Sequence, residues 1–381
     1  MRILSISNCP LDPNLGSGRT VLRYSAELRN LGHNVDILAP IHYEIGQRLS
    51  RGKKFRQALG AWWTGRRKIG QRNYDVIEYY GDEFWLLAST LSRRRERPLL
   101  VAHTNGLELL AAECQQSGCR EETTLLSQLK QLVTGPVHHR LSEIAFRSAD
   151  AFVALCKLDV EYVVKHGILP RQQTAVVGPG LDTEFLDRTF DMRRGTRVAF
   201  NGSWIGRKGV DYIVSVMTRL LDKLSNLHFD VFGTGGRQDS VLSAFPDRFR
   251  PRIHVHLRLS NAALADALTA SRVFFFPSRY EGFGMATAEA MARGCAPVVT
   301  PTGFGAELRD GVDGFVVPFA DTGAMETRIE ALLADDACFE RISRAAQARV
   351  AGLRWDRVGR QLAEHYEAWS AANTRGMRKP A

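Results

Sequence analysis

No apolar run in the 381 residues approaches the roughly 20 needed to cross a bilayer. The first apolar stretch, Ile3–Ser7, stops at Asn8. It is too short for a secretory signal and lacks a small-residue cleavage site. Cysteine is sparse. Cys9, Cys114, Cys119, Cys156, Cys295 and Cys338 are scattered, and no second pair or histidine cluster completes a zinc-ligand spacing. Free thiols in a reducing cytoplasm are the expectation. There is no Asp-x-Asp metal motif, no internal repeat and no low-complexity tract. A composition of 44% hydrophobic and 24% charged residues excludes a disordered chain. Acid is missing from one window. Between Glu44 and Asp75 every charge is positive: Arg48, Arg51, Lys53, Lys54, Arg56, Arg66, Arg67, Lys68 and Arg72, with Trp62 and Trp63 in their midst.

What is present is an alternation. Apolar runs of strand length are separated by longer stretches with helical periodicity, which predicts α/β architecture with parallel sheets. Candidate strands in the first half are Ile3–Ser7, Val35–Leu38, Val76–Tyr79, Leu99–His103, Ala151–Leu155 and Thr174–Val177. In the second half they are Val198–Asn201, His228–Phe232, Ile253–His256, Val273–Phe276, Ala296–Val299 and Phe315–Val317. Gly178-Pro179-Gly180 and the polar stretch after it mark a break, so two domains are expected, 1–182 and 183–355. From Asp321 the chain reads as helix only. The last helix shows Trp355, Val358, Leu362, Tyr366 and Trp369 on one face. The formal net charge of +10 implies anionic partners.

The segment Pro277 to Gly294 carries the strongest signal. A strand ends at Phe276, a loop with Gly282, Phe283 and Gly284 follows, and a helix begins near Met285. Amide groups at such a helix start bind phosphate, and the helix dipole favours its charge. Glu281 lies in the loop, and Glu289 lies one to two turns into the helix, within reach of ribose hydroxyls. Gly202 to Gly209 follows the first strand of the second half and places Arg207 beside Lys208, a pair suited to a diphosphate. Phe232 to Gly236 is a glycine-rich turn. Asn14 to Gly18, with Gly16 and Gly18, sits between a strand and a helix, without a Walker lysine and without a complete dinucleotide fingerprint. His103 ends a strand, where ligands gather in open α/β sheets.

With these segments in this order, the chain resembles the GT-B family of retaining glycosyltransferases known as family 4. The Glu281-to-Glu289 segment looks like that family's acidic signature. The resemblance covers nearly the whole chain and implies two Rossmann-like domains facing each other across a cleft. It implies that the final helix, about 356–381, crosses back to the first domain. The donor, a UDP- or GDP-sugar, would bind the second domain through Gly202, Arg207, Lys208, Gly282, Phe283, Gly284, Met285 and Glu289. Gly16 and Gly18 would face acceptor and donor phosphate. His103 would contact the transferred sugar, and Glu281 would orient its hydroxyls. Ser203 stands where the family usually has an arginine, and Arg207 could replace that contact. The altered Gly178-Pro179-Gly180 corresponds to the family's interdomain segment. No cofactor and no metal are implied, and closure of the domains would exclude water. Retention with no second carboxylate as nucleophile implies displacement on the same face, assisted by the leaving phosphate. The acceptor would be a glycan or a lipid-linked one, as in polysaccharide, lipopolysaccharide or glycolipid synthesis.

Three readings of the basic window stay open. Arg51, Lys53, Lys54, Trp62, Trp63, Arg66 and Arg67 could face an anionic membrane on the acceptor side, which would place the protein on the inner face of the cytoplasmic membrane. A nucleic-acid site would also use cations and aromatics, but nothing else in the chain resembles a nucleic-acid module. The third is a solvated helix face. Other activities on the same fold are also open: a sugar-nucleotide epimerase, a non-catalytic glycan or nucleotide-sugar binder, or a phosphorylase, which the lack of a pyridoxal-type lysine context disfavours. The oligomeric state is not written in the sequence.

Overall fold

A computed structural model describes residues 1–13, 16–47, 49, 52–111, 125–186, 190–257 and 259–377, without side chains for 125–134 and 374–377. Two compact units form. One holds the first sheet and the segment from Trp355 onward; the other is Leu181–Arg354.

All twelve candidate strands are strands, with ends shifted by a residue at most. The first unit contains β1 (Arg2–Ser7), β2 (Asn34–Leu38), β3 (Val76–Tyr80), β4 (Leu99–His103), β5 (Ala151–Ala154) and β6 (Thr174–Val176). Their near-continuous apolar character is what a parallel sheet covered on both faces demands. Every described pairing is parallel, in the order β2-β1-β3-β4-β5-β6. This is the flavodoxin-like winding, whose order reverses between β1 and β3. Helices α1 (Gly16–Asn30), α2 (Pro40–Tyr43), α3 (Lys53–Gln71), α4 (Trp85–Ser92), α5 (Leu125–Arg147) and α6 (Lys157–Lys165) connect the strands.

The second unit holds β7 (Arg197–Asn201), β8 (His228–Phe232), β9 (Ile253–Val255), β10 (Val273–Phe276), β11 (Ala296–Val299) and β12 (Phe315–Val316). Its order, β12-β11-β10-β7-β8-β9, reverses between β10 and β7. The accompanying helices are α7 (Val210–Lys223), α8 (Gln238–Leu242), α9 (Asn261–Ala270), α10 (Met285–Ala292), α11 (Thr322–Ala334) and α12 (Asp336–Val350).

The last helix, α13 (Trp355–Met377), packs against α1 in the first unit. Its apolar face is the one the periodicity predicts: Trp355, Val358, Leu362 and Tyr366 are all buried. A polar network lies under it. The Tyr366 hydroxyl is 2.6 Å from His103 Nε2 and donates to Glu78 Oε2. Tyr80 also donates to Glu78, and Tyr24 donates to the Val177 carbonyl. Burial raises the Glu78 pKa against the hydrogen bonds it accepts, and burial pushes His103 down to about 3. The His103 ring is therefore held neutral.

Because Tyr366 bridges two fully buried partners, Tyr366→Phe takes a hydrogen bond from each and leaves Glu78 with Tyr80. The unfolding free energy is expected to drop by about 1–3 kcal/mol in a urea titration. A change below about 0.5 kcal/mol, the size of an ordinary surface substitution, would show that the network does not anchor α13.

Candidate functional site

In doubly wound sheets ligands bind beyond the carboxyl ends of the strands, where the strand order reverses. In the second unit that place is the gap between the ends of β7 and β10, and the two loops there are fastened together. After β7 come Gly202–Ile205 and a tight turn, Gly206–Lys208, leading through Gly209 into α7. After β10 comes Pro277–Gly284, leading into α10. Arg279 is the fastener. Its backbone N–H donates to Arg207 O (2.8 Å), its guanidinium to Gly206 O (2.6 Å) and Asp211 Oδ2 (2.6 Å), and it lies 4.3 Å from the centre of the Tyr212 ring. Gly209 has a φ of +70°, and a Cβ there would collide with the Pro277 carbonyl. Only glycine meets both demands cheaply.

The side chains expected to hold a donor collect around this seam. Lys208 Nζ donates to Glu281 Oε1 at 2.6 Å and lies 5.0 Å from the centre of the Phe276 ring. Arg207 donates to the Tyr280 carbonyl at 3.1 Å, which leaves the rest of its fork of N–H donors for other partners. Gly202 packs near Phe200, Phe276 and the Lys208 stem. Gly282 is buried, and Phe283 stacks on Phe304 with centroids 5.1 Å apart. Gly284, with φ +92°, is the N-cap of α10 and contributes no side-chain cap. The helix start at Gly284, Met285 and Ala286 is half-buried. Glu289 is buried within α10. The turn after β8 closes the neighbouring edge, because Gly233 packs against Asn201 and Gly202. Ser203 is exposed.

The first unit's order reverses between β1 and β3, and polar groups gather beyond those strand ends. Asn8 Nδ2 donates to Glu83 Oε2 at 3.0 Å. Lys54 Nζ lies 3.3 Å from Asp82 and 2.5 Å from Glu108. Ser142 Oγ also donates to Asp82. Carboxylate oxygens of Asp82, Glu83 and Glu108 lie within 4.8 Å of one another. Burial, together with the Asp82 and Glu108 charges, pushes Glu83 up to about 7. For Lys54, burial works against the charge, but Asp82 and Glu108 outweigh it and hold the ammonium above its usual range. Gly18 in α1 packs against the backbone of Pro10 and Asp12, whereas the position of Gly16 is open.

Residues 16–185 match the family described as Glycosyltransferase Family 4, and residues 195–335 match Glycosyl transferases group 1. The chain belongs to the family 4 glycosyltransferases. Phosphatidyl-myo-inositol mannosyltransferase of Mycolicibacterium smegmatis is 24% identical over 98% of this glycosyltransferase and 95% of its own length. Several other curated relatives are longer than the matched region, and the matches span 31% to 57% of their length. Among solved structures, sucrose-phosphate synthase from Thermosynechococcus elongatus superposes with a TM-score of 0.78 at 16% identity, covering 98% of this chain and all, 100%, of that one. HepE of Anabaena in complex with UDP-glucose superposes with a TM-score of 0.67 at 16% identity, covering 97% and 100%. Both likenesses are of GT-B fold.

Three of the residues named from the sequence are engaged within the first unit. His103 is only 1% exposed, roofed by Tyr366 and flanked by Tyr80. Lys54 pairs with Asp82 and Glu108. Trp62 is half-buried against the first unit's core, with Arg66 lying 4.8 Å from the centre of its ring. Lys53, Trp63, Arg66 and Arg67 are exposed as expected, while Arg48, Arg51, Cys114, Cys119, Asn14 and Leu15 lie outside the described residues. The four described cysteines are free. Arg279, Ser278 and the Asp82–Glu83–Glu108 group were not singled out from the sequence. Asp82 and Glu83 had a readable signal, since they directly follow a strand. Arg279 and Ser278 had none, because the loop carbonyls they bind across the seam lie some seventy positions away in the chain (73 and 71), although Ser278 also reaches the nearby Glu281.

The seam generates a direct expectation. Gly209→Ala forces strain and a collision, and should cost about 2 kcal/mol or more in chemical denaturation. Stability within about 0.5 kcal/mol of the parent would mean that the two loops are not held against each other.

Proposed function

We propose that this glycosyltransferase moves a hexosyl unit from a nucleoside-diphosphate sugar to an acceptor hydroxyl, with retention at the anomeric carbon. The observation that carries this reading is the seam at the second unit's reversal point. Two cations and an uncapped helix start share one place, suited to charge that develops on a leaving diphosphate. Arg207, Lys208 and the amides at Met285 and Ala286 stabilise that charge. Glu289 holds the ribose, and Glu281 with the Gly282–Gly284 backbone orients the sugar. The UDP-glucose complex of the similar HepE fold supports a uridine donor, with GDP-sugars the other candidates. Glu281 is already engaged by Lys208 and Ser278, which makes it a poor nucleophile. A same-face exchange fits better: the bond from the anomeric carbon to the diphosphate breaks, the acceptor oxygen bonds to that carbon, and the acceptor proton passes to the leaving phosphate. No resident metal or cofactor is assigned a part. For the acceptor, the polar group formed by Asn8, Lys54, Asp82, Glu83 and Glu108 offers donors and acceptors matched to a polyhydroxylated molecule.

The acceptor is lipid-linked in this proposal, as the name of the mycobacterial relative describes for that protein. Among the described residues no helix is long and apolar enough to cross a membrane. Helix α3 instead exposes Phe55, Leu59 and Trp63 at successive i, i+4 positions. Ile41, Ile45 and Leu49 extend this surface, and all six are between 48% and 76% exposed. Arg56 ties the loop to the helix through the Ile45 and Leu49 carbonyls. Lys53, Arg66 and Arg67 surround an apolar ridge of the kind that docks on anionic lipid.

Two measurements test these readings. A UDP-, GDP- and ADP-sugar panel should contain one donor that raises the melting temperature, since a ligand at a hundred times its Kd adds about 2.7 kcal/mol. Arg207→Gln with Lys208→Gln should remove the shift and donor hydrolysis. An unshifted panel, or an unaffected double variant, counts against the donor site. Binding without hydrolysis would favour the non-catalytic alternative. Separately, Leu59→Ser with Trp63→Ser should weaken binding to phosphatidylglycerol vesicles about tenfold or more, with donor affinity unchanged. Added salt should weaken the parent's binding. Equal binding to neutral vesicles, or none to either, would refute the docking surface.

A further inference from the structure

Glu281 is committed before any ligand arrives. Its Oε1 accepts from Lys208 Nζ at 2.6 Å and from the fully buried Ser278 hydroxyl at 2.5 Å. The ion pair is largely out of water, with side chains 13% and 10% exposed. The residue proposed to hold sugar hydroxyls therefore neutralises the cation proposed to hold phosphate. A lysine ammonium can turn between anions, but a diphosphate that takes it leaves Glu281 with Ser278 alone in a nearly dry place. An incompletely paired carboxylate there is costly.

We infer that the Lys208–Glu281 pair changes partners when a sugar nucleotide binds, and that this exchange lets the protein favour the intact donor over the spent nucleoside diphosphate. The inference rests on the donor site proposed above. Either ligand brings phosphate oxygens to draw Lys208 away. Only the intact donor brings the hydroxyls of the transferred sugar, which donate to the released Glu281 carboxylate, whereas the ribose hydroxyls common to both ligands go to Glu289. The bare diphosphate leaves that charge short of partners, and so it binds more weakly than its phosphate contacts alone would allow. This is discrimination by what the wrong ligand leaves unpaired. Ser278 sets the size of the effect, because its hydroxyl is the hydrogen bond Glu281 keeps throughout.

The test is calorimetric titration of the full chain with UDP and UDP-glucose, or with GDP and GDP-mannose if those are the pair that shift its melting temperature. Glu281→Gln removes the competing charge. The nucleoside diphosphate should then bind about tenfold tighter than to the parent, while the sugar nucleotide gains nothing or loses affinity. In a Lys208→Gln background the same change should give no tightening. Ser278→Ala should move diphosphate affinity the opposite way, since the released carboxylate loses its remaining partner. Ligand-free melting curves establish that each variant is folded. Should folded Glu281→Gln bind the diphosphate no tighter than the parent, or should the tightening persist without Lys208, the exchange does not occur. If the parent binds neither the sugar nucleotides nor their diphosphates, the donor site itself fails, a result distinct from a parent that binds the sugar nucleotide and a Glu281→Gln that does not differ.

Discussion

Arg279 holds together two loops that a twisted parallel sheet would otherwise let splay. The ends of β7 and β10 are neighbours in space because the sheet winds outward in both directions from them. Their loops nevertheless lead to different helices. A guanidinium that grips the Gly206 carbonyl and Asp211 on one side, while its own backbone belongs to the other, fixes the gap between them. Gly209 makes this possible by letting the turn pass against Pro277. Glu281, Lys208 and the start of α10 inherit their positions from that seam. A site meant for developing charge gains most when its dipoles are fixed in advance, because little reorganisation remains for the moment of reaction.

The two units treat charge differently. In the second, Arg207, Lys208 and Glu281 gather at the seam where the proposed visitor is an anion. In the first, carboxylates outnumber the one lysine among them, and the proposed visitor is a neutral, hydroxyl-rich molecule. The exposed apolar ridge on α3 begins beside that acidic group, since Lys54, which pairs with Asp82 and Glu108, is followed directly by the half-exposed Phe55. The proposed lipid-linked acceptor would use this arrangement by leaving its lipid in a membrane while its head reaches the polar groups.

Much of this architecture is written locally. Short apolar runs bounded by turns gave every strand, because residues buried on both faces of a parallel sheet need no alternation and stand out from their polar connections. The face of α13 is legible for the same reason. What local pattern does not carry is where a side chain finds its partner. His103 looks like a ligand at a strand end until Tyr366, 263 residues later, is laid over it. Lys54 and Trp62 sit in a cationic run that reads as one surface, yet helical rotation sends both inward and leaves Lys53 and Trp63 outside. The order of the first sheet, with its reversal at β1 and β3, is likewise set by which strands meet and not by any single segment. Asp82 and Glu83 gain their meaning only from that order.

The central claim is that a sugar nucleotide seats its diphosphate at the seam of the second unit. Crystals of the full chain soaked with UDP-glucose and with GDP-mannose test it most directly. The account predicts, for one of the two, diphosphate density in contact with Arg207, Lys208 and the amides at the start of α10. Occupied density for both elsewhere on the chain, or an empty seam at saturating concentrations of each, would contradict it.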